Sequence, residues 1–275
     1  MKNRFIFAIS FIFILGFGVY ALIQFTPDEI ADRAKWEEFL NTAAIVGQRQ
    51  FDGEQLPNKP WILTLEKDGI TRQAFWKNPE GRIRGFLEEW KWEIAAYRLD
   101  EYLELNMIPP TVEKEFQGNQ GSCQLWITTE MNLKKKMREK IKTPSDKLFS
   151  WNRAFYLQRA FDNLIANIDR HQGSTLITKD WRMILVDHSR TFGTSTSATA
   201  KLIYTEEHKA GPMIMKQLPR IFVQKLKDMN FELIRNVVED YLTAEEIEAV
   251  LKRRDLILEE IKRLIEKNGE DNVLY

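Results

Sequence analysis

Strand-like patterns lie mostly in the first half of this chain and helix-like ones mostly in the second, and that order limits its architecture. Runs of strand character cover 43–51, 61–66, 70–77 and 122–128 before residue 130, with one further pair at 174–178 and 181–186. Asp68 and Gly69 sit between the second and third of them, a two-residue turn in which both positions want positive φ. Helical patterns occupy 30–40, 88–105, 149–168 and most of the chain after residue 200. Pro109 and Pro110 stop the second of these helices. Thr243 and Glu246 form a capping box that starts the last one, which runs to Gly269. Strands first and helices second imply an α+β chain, a β-rich lobe followed by a helical lobe. The expected divisions are 1–25, 26–130 and 131–275.

Composition removes several function classes. Forty basic residues balance forty acidic ones, so the zero net charge argues against a nucleic-acid partner. A hydrophobic share of 44% is enough for a sizeable core and excludes a disordered chain. The single cysteine, Cys123, excludes an internal disulfide and a multi-cysteine zinc site, and its apolar strand makes it a core residue. Lys134, Lys135, Lys136, Arg138, Lys140 and Lys142 read as the solvated face of a helix.

The N-terminus is directed to a membrane. Lys2 and Arg4 precede an apolar run over 5–25, interrupted by little more than Ser10, Gln24 and the Tyr20 hydroxyl. About 20 apolar residues span a bilayer as a helix. Basic residues before the run and acidic ones after it place the rest of the chain on the extracytoplasmic side. A transmembrane anchor and a cleaved signal peptide compete; the length of the run favours the anchor.

The stretch 161–192, FDNLIANIDRHQGSTLITKDWRMILVDHSRTF, holds the chemistry. Asp169 follows an apolar helix and precedes a hairpin expected to turn at Lys179 and Asp180. Pairing about that turn, with 178 beside 181 and 174 beside 185, brings Asp187 out at the same end as Ser174. Two carboxylates and a hydroxyl then share one mouth. Such a set suits a magnesium–phosphate site, because magnesium takes one or two carboxylates and leaves room for phosphate and water. A second carboxylate orients or deprotonates an attacking hydroxyl. The competing reading is that Asp169 and Asp187 cap turns and pair with Arg170 and Arg190. Lys77, ending a strand, and Glu93, in the next helix, precede the two acids in the order of the protein-kinase fold.

These segments resemble a known group. FDNLIANIDRH and WEIAAYRLDEYLELNMIPPTV are similar to segments of the secretory-pathway kinases that include the Golgi casein kinase, and of their bacterial relatives. DRHxxN followed by a hairpin and an Asp is shared more distantly with phosphatidylinositol 3-/4-kinases. The resemblance implies a two-lobe kinase-like fold, with ATP and Mg²⁺ or Mn²⁺ as cofactors and a protein, sugar or other small-molecule hydroxyl as acceptor. It makes Asp169 the catalytic acid, Asp187 a metal ligand, Lys77 the phosphate-binding cation and Glu93 its holder. Residues 52–60 would lie over the phosphates and 124–129 would lead past the adenine. Ser174 stands where the group has Asn, as a second metal ligand, and Gly53 is the one glycine in 52–60. Those two departures carry the alternative, a membrane-tethered pseudokinase that acts as a scaffold. His171 is expected to support the catalytic loop by hydrogen bonding. Arg253 and Arg254 are expected to form surface ion pairs, and Thr194 to Ser197 to form an ordinary loop.

Overall fold

The computed structural model of the protein describes residues 24–51, 60–208, 213 and 215–275. The expected N-terminal membrane segment and most of the loop 52–60 lie outside the described residues. Among those described, no helix is long and apolar enough to cross a membrane.

The chain enters through α1 (Pro27–Ala31) and α2 (Arg33–Thr42). The helix expected over 30–40 is thus split at Asp32. Strands β1 (Ala44–Gln50), β2 (Trp61–Lys67) and β3 (Ile70–Lys77) follow in antiparallel succession. Asp68 and Gly69 turn β2 into β3 with φ of 51° and 75°, the left-handed pair that a two-residue hairpin requires. A second hairpin, β4 (Glu80–Ile83) and β5 (Phe86–Glu89), lies where the sequence suggests only a polar connection. Its turn, Arg84 and Gly85, has positive φ at both positions. Then come α3 (Lys91–Tyr102), β6 (Thr111–Phe116) and β7 (Asn119–Leu125). The five-stranded sheet has the order β1-β2-β3-β7-β6.

Alternation along the strands gives this sheet two different faces. Leu63, Leu65, Ala74, Trp76, Cys123 and Leu125 pack with Phe39 and Leu40 of α2 into one apolar cluster. Phe75, Lys77, Ser122 and Gln124 fall on the opposite face. Cys123 is fully buried, and burial pushes its thiol up to about 12, as expected of a core residue.

The second lobe begins with β8 (Met131–Asn132) and α4 (Leu133–Arg138), whose Lys134, Lys135 and Arg138 are exposed as expected. The long apolar helix α5 (Leu148–Leu164) leads to β9 (Thr175–Ile177) and β10 (Met183–Leu185). After α6 (Thr196–Thr199) the chain continues through α7 (Arg220–Asp228), α8 (Phe231–Val238), α9 (Ala244–Asn268) and α10 (Glu270–Val273). The Thr243–Glu246 capping box is present at the start of α9, and Gly269 ends that helix. Helix α3 belongs to the core of this second lobe: Trp92, Ala95, Ala96 and Leu99 pack with Trp151, Phe161 and Ile257.

The β9–β10 hairpin differs from expectation by one residue. Ile177 pairs with Met183 and Thr175 with Leu185, so the loop has three residues, 179 to 181. Trp181 takes a left-handed φ of 68° and stacks edge-on against Trp151. Packing that half-buried indole against Trp151 goes with the longer turn, and turn length sets register. Ser174 therefore faces Val186, whose N–H it accepts at 3.1 Å, and Asp187 still emerges beside it.

Arg253 corrects another expectation. It is buried, not on the surface, and donates to the Leu164 carbonyl at 2.7 Å and the Gly193 carbonyl at 2.8 Å. Burial pulls its guanidinium down to about 10. Arg254 does pair with the neighbouring Asp255. Arg253→Met leaves two interior carbonyls without a donor, each worth about 1–3 kcal/mol, partly offset by removing a buried charge. A net loss of roughly 1–3 kcal/mol in a urea denaturation curve is expected; an unchanged midpoint refutes that accounting.

Candidate active site

Lys77 ends β3, and its backbone is tightly held. Its carbonyl accepts from the Ser122 hydroxyl at 3.2 Å. Gly121 lies beside it, and a Cβ there would sit 2.7 Å from the Trp76 ring and 2.8 Å from the Lys77 carbonyl, so no larger residue fits without movement. The side chain is buried, and its Nζ lies 2.5 Å from Glu93 Oε1 and 2.5 Å from Asp187 Oδ1. The three charges come from β3, from α3 and from the loop after β10, so the contact joins both lobes.

The charges sustain one another. Burial alone would lower the Lys77 pKa, but the charges and hydrogen bonds of Asp187 and Glu93 outweigh it and hold the ammonium protonated. Burial would likewise raise both carboxyls. The Lys77 charge prevails and keeps Asp187 and Glu93 below the usual carboxylate range, aided by His171 at the first and His188 at the second. Asp187 has φ of 65°, a left-handed conformation that Asp tolerates better than most residues.

A buried polar chain supports this triangle. Glu93 Oε1 also accepts the His188 N–H at 2.8 Å. The His188 ring is fully buried, its Nδ1 3.5 Å from Glu93 Oε2 and its Nε2 2.9 Å from Arg170 Nη2. Nε2 therefore accepts from Arg170, and the ring proton lies on Nδ1 toward Glu93. Burial depresses the pKa of this imidazole and keeps it neutral. Arg170 donates Nε and Nη2 to Asp162, which has no exposed surface, and Nη1 to the Val186 carbonyl at 2.8 Å.

Asp169 leaves the end of α5 through an irregular turn. Ala166 has a positive φ and the Asn167 side chain accepts the Asp169 N–H at 3.1 Å. The Asp169 side chain is 40% exposed. Its Oδ2 accepts from Arg190 Nη1 at 3.1 Å. Partial burial raises its pKa, Arg190 opposes that rise, and Asp187 reinforces it. The two acids thus sit in opposite environments.

Ser174 is buried close by. Its Oγ donates to the His171 carbonyl at 3.0 Å and accepts from Arg170 Nη1 at 3.2 Å and His171 N–H at 3.4 Å. That fills the capacity of a hydroxyl, so metal binding by this oxygen would require one of these bonds to break. His171 Nδ1 accepts from the Gly173 N–H and Nε2 lies 3.7 Å from Asp187 Oδ2, in line with a supporting role.

No protein-family model matches the chain, and no curated protein matches it in sequence. Solved structures do. The Golgi casein kinase superposes with a TM-score of 0.59 over 88% of this chain and 79% of that one, at 15% identity. The Helicobacter pylori proinflammatory kinase CtkA superposes with a TM-score of 0.50 over 84% of this chain and 98% of that one, at 13% identity. This is a kinase fold. Its sheet-rich first lobe and helical second lobe are those the resemblance implied.

Within that kinase fold, Lys77, Glu93 and Asp187 meet in one ion-paired group, and Asp169 and Ser174 lie on the adjoining loop. Sequence reasoning passed over Asp162, His188 and Glu88, and it placed Arg170 and Arg190 only as ion-pair partners of the two acids; Arg190 does pair with Asp169. Arg170 and His188 stand beside residues it chose, yet nothing in their spacing announces a buried role. Among the described residues no three or more His, Cys, Asp or Glu side chains gather into a metal cage.

Proposed function

We propose that the protein is an ATP- and divalent-metal-dependent kinase that transfers a phosphoryl group to a hydroxyl. The observation that carries this reading is Lys77 held between Glu93 and Asp187 across the two lobes, with the Asp169 carboxylate on the adjoining loop. Lys77 is charged, buried and fixed, as a cation for nucleotide phosphates must be. Glu93 stops it from turning away. Asp187 is an ionised carboxylate with a partly exposed side chain, and magnesium at kinase sites uses one or two carboxylates completed by phosphate and water. A divalent ion held by Asp187, and by Ser174 if its hydroxyl is released, would neutralise phosphate charge. Asp169 keeps Oδ1 without a hydrogen-bond partner among the described residues, available to an acceptor hydroxyl and its proton.

The acceptor is a protein, sugar or other small-molecule hydroxyl. The apolar run over 5–25 supports a membrane-attached domain on the extracytoplasmic side.

The test uses the full chain in detergent, titrated with ATP and magnesium or manganese while thermal unfolding is followed. A ligand at a hundred times its Kd adds about 2.7 kcal/mol, which raises the Tm by roughly 5–10 °C for a domain of this size. A metal-dependent rise with slow ADP formation is expected. A titration that gives no shift and no turnover overturns the reading and favours a scaffold.

A further inference from the structure

Arg190 follows Asp187 by three residues, yet its contacts point away from the Lys77 group. Nη1 bonds Asp169 Oδ2 at 3.1 Å. The other edge of the guanidinium is anchored: Nε donates to Glu88 Oε1 at 2.9 Å, and Nη2 donates to the same oxygen. Glu88 is 1% exposed and belongs to β5. One face of the guanidinium lies against the Phe86 ring, 4.6 Å from its centroid. The backbone joins in, because the Glu89 N–H donates to the Ser189 carbonyl at 3.0 Å. The β4–β5 hairpin therefore grips Arg190 by charge, by ring and through its neighbour's carbonyl.

That grip matters because Asp169 has little of its own. It sits on an irregular turn, its side chain is 40% exposed, and Arg190 is its one hydrogen-bond partner beyond the turn among the described residues. A guanidinium that is fixed on the far side holds one carboxylate oxygen in place. The other oxygen is left in a set direction for an incoming hydroxyl. A base free to rotate would reach that geometry only part of the time, and a misplacement of about 1 Å costs on the order of a hundredfold in rate.

We propose that Arg190, clamped by Glu88 and Phe86, is the positioning residue of Asp169, and that it sets the rate of transfer while leaving nucleotide binding to the Lys77 group. The inference rests on the kinase reading and deepens it. It gives the β4–β5 hairpin a role: the hairpin supports the acid on the acceptor side.

The test compares Arg190→Met, Arg190→Lys and Glu88→Gln in the full chain by ADP formation. Arg190→Met is expected to lower kcat by about 10–100-fold with the KM for ATP changed by no more than about twofold. Arg190→Lys restores a cation beside Asp169 and recovers part of the loss, and Glu88→Gln falls between. An unchanged kcat in Arg190→Met, or a raised KM with kcat intact, overturns the proposal. A second readout needs no turnover: the carboxyl-carbon resonance of Asp169, titrated in the parent and in Arg190→Met. The charged and titratable groups facing Asp169 are Arg190, Asp187, His171 and Glu88, and removing Arg190 is expected to raise its midpoint. A parent that forms no ADP overturns the kinase reading, yet a raised midpoint would still establish the Arg190 contact. An unmoved midpoint overturns the contact itself.

Discussion

Asp187→Asn is expected to abolish the metal-dependent stabilisation by ATP and to reduce ADP formation at least about a thousandfold, since metal-ion charge stabilisation is worth several kcal/mol and each 1.36 kcal/mol is a factor of ten. The substitution is close in size and leaves an amide oxygen for Lys77 to donate to. What it removes is a negative charge. In the parent, that carboxylate is ionised because Lys77 lies 2.5 Å away, so it offers a full charge to a divalent ion. Glu93 remains in the variant as a counterion for Lys77, so the fold is expected to persist. Cys123 checks that directly, because its buried thiol should stay closed to alkylating reagents in native protein and react only after unfolding. Asp180, a loop acid that bonds Thr178 and Arg182 away from the site, serves as the control: Asp180→Asn should retain the shift and the turnover. If Asp187→Asn keeps a full metal-dependent shift, Asp187 is not the metal ligand.

The legible part of the fold was what local chemistry dictates. Asp68 and Gly69 announce a hairpin because few other pairs accept positive φ at both positions. Thr243 and Glu246 announce a helix start because the pair satisfies two orphan N–H groups. The hairpin β4–β5 was not legible. Its turn uses Arg84 in a left-handed conformation, and its strands of four residues expose Phe86 and Leu87 in place of a clean alternation. Strand β6 was hidden for a related reason: Glu113, Lys114 and Glu115 look like solvated loop. Lys114 is in fact buried, with its ammonium donating to the carbonyls of Leu40 and Ala43, 74 and 71 residues away in sequence. The β9–β10 register slipped by one because a distant indole, Trp151, receives Trp181 and lengthens the turn.

The site was legible in its order and not in its scaffolding. Lys77, Glu93, Asp169 and Asp187 could be chosen because charged residues at element ends, in a fixed sequence, are informative as a set. Asp162 and His188 could not, and Arg170 and Arg190 could be placed only as generic ion-pair partners, Arg170 with the wrong acid. Each is an ordinary polar residue whose importance comes from being buried against a partner that only the folded chain supplies. Arg253 shows the same limit from the other side. A helix arginine flanked by Lys252, Arg254 and Asp255 reads as a surface ion pair. Here it reaches inward to two backbone carbonyls, one at the end of α5 and one after Phe192, and so braces both ends of the segment that holds Asp169 and Asp187.

Asp169 and Asp187 lie on one loop system with opposite surroundings, and environments that push two carboxyls apart assign their roles. Lys77 holds Asp187 ionised and low. Partial burial, with Asp187 nearby, holds Asp169 above the usual carboxylate value despite Arg190. A raised carboxyl is the better proton acceptor, which suits the residue that meets the acceptor hydroxyl. Asp169→Asn should therefore leave the ATP- and metal-dependent Tm rise within error of the parent, because the side chain touches neither Lys77 nor Glu93. Transfer should fall by about 10²–10⁴-fold, the range of general acid–base catalysis. In the parent, activity should decline as pH drops through the Asp169 carboxyl's own pKa, since the protonated acid cannot accept a proton. That acidic limb should vanish from the residual activity of the variant. Full transfer by Asp169→Asn would remove Asp169 from the chemistry, and loss of the metal-dependent rise would move it into the metal site beside Asp187.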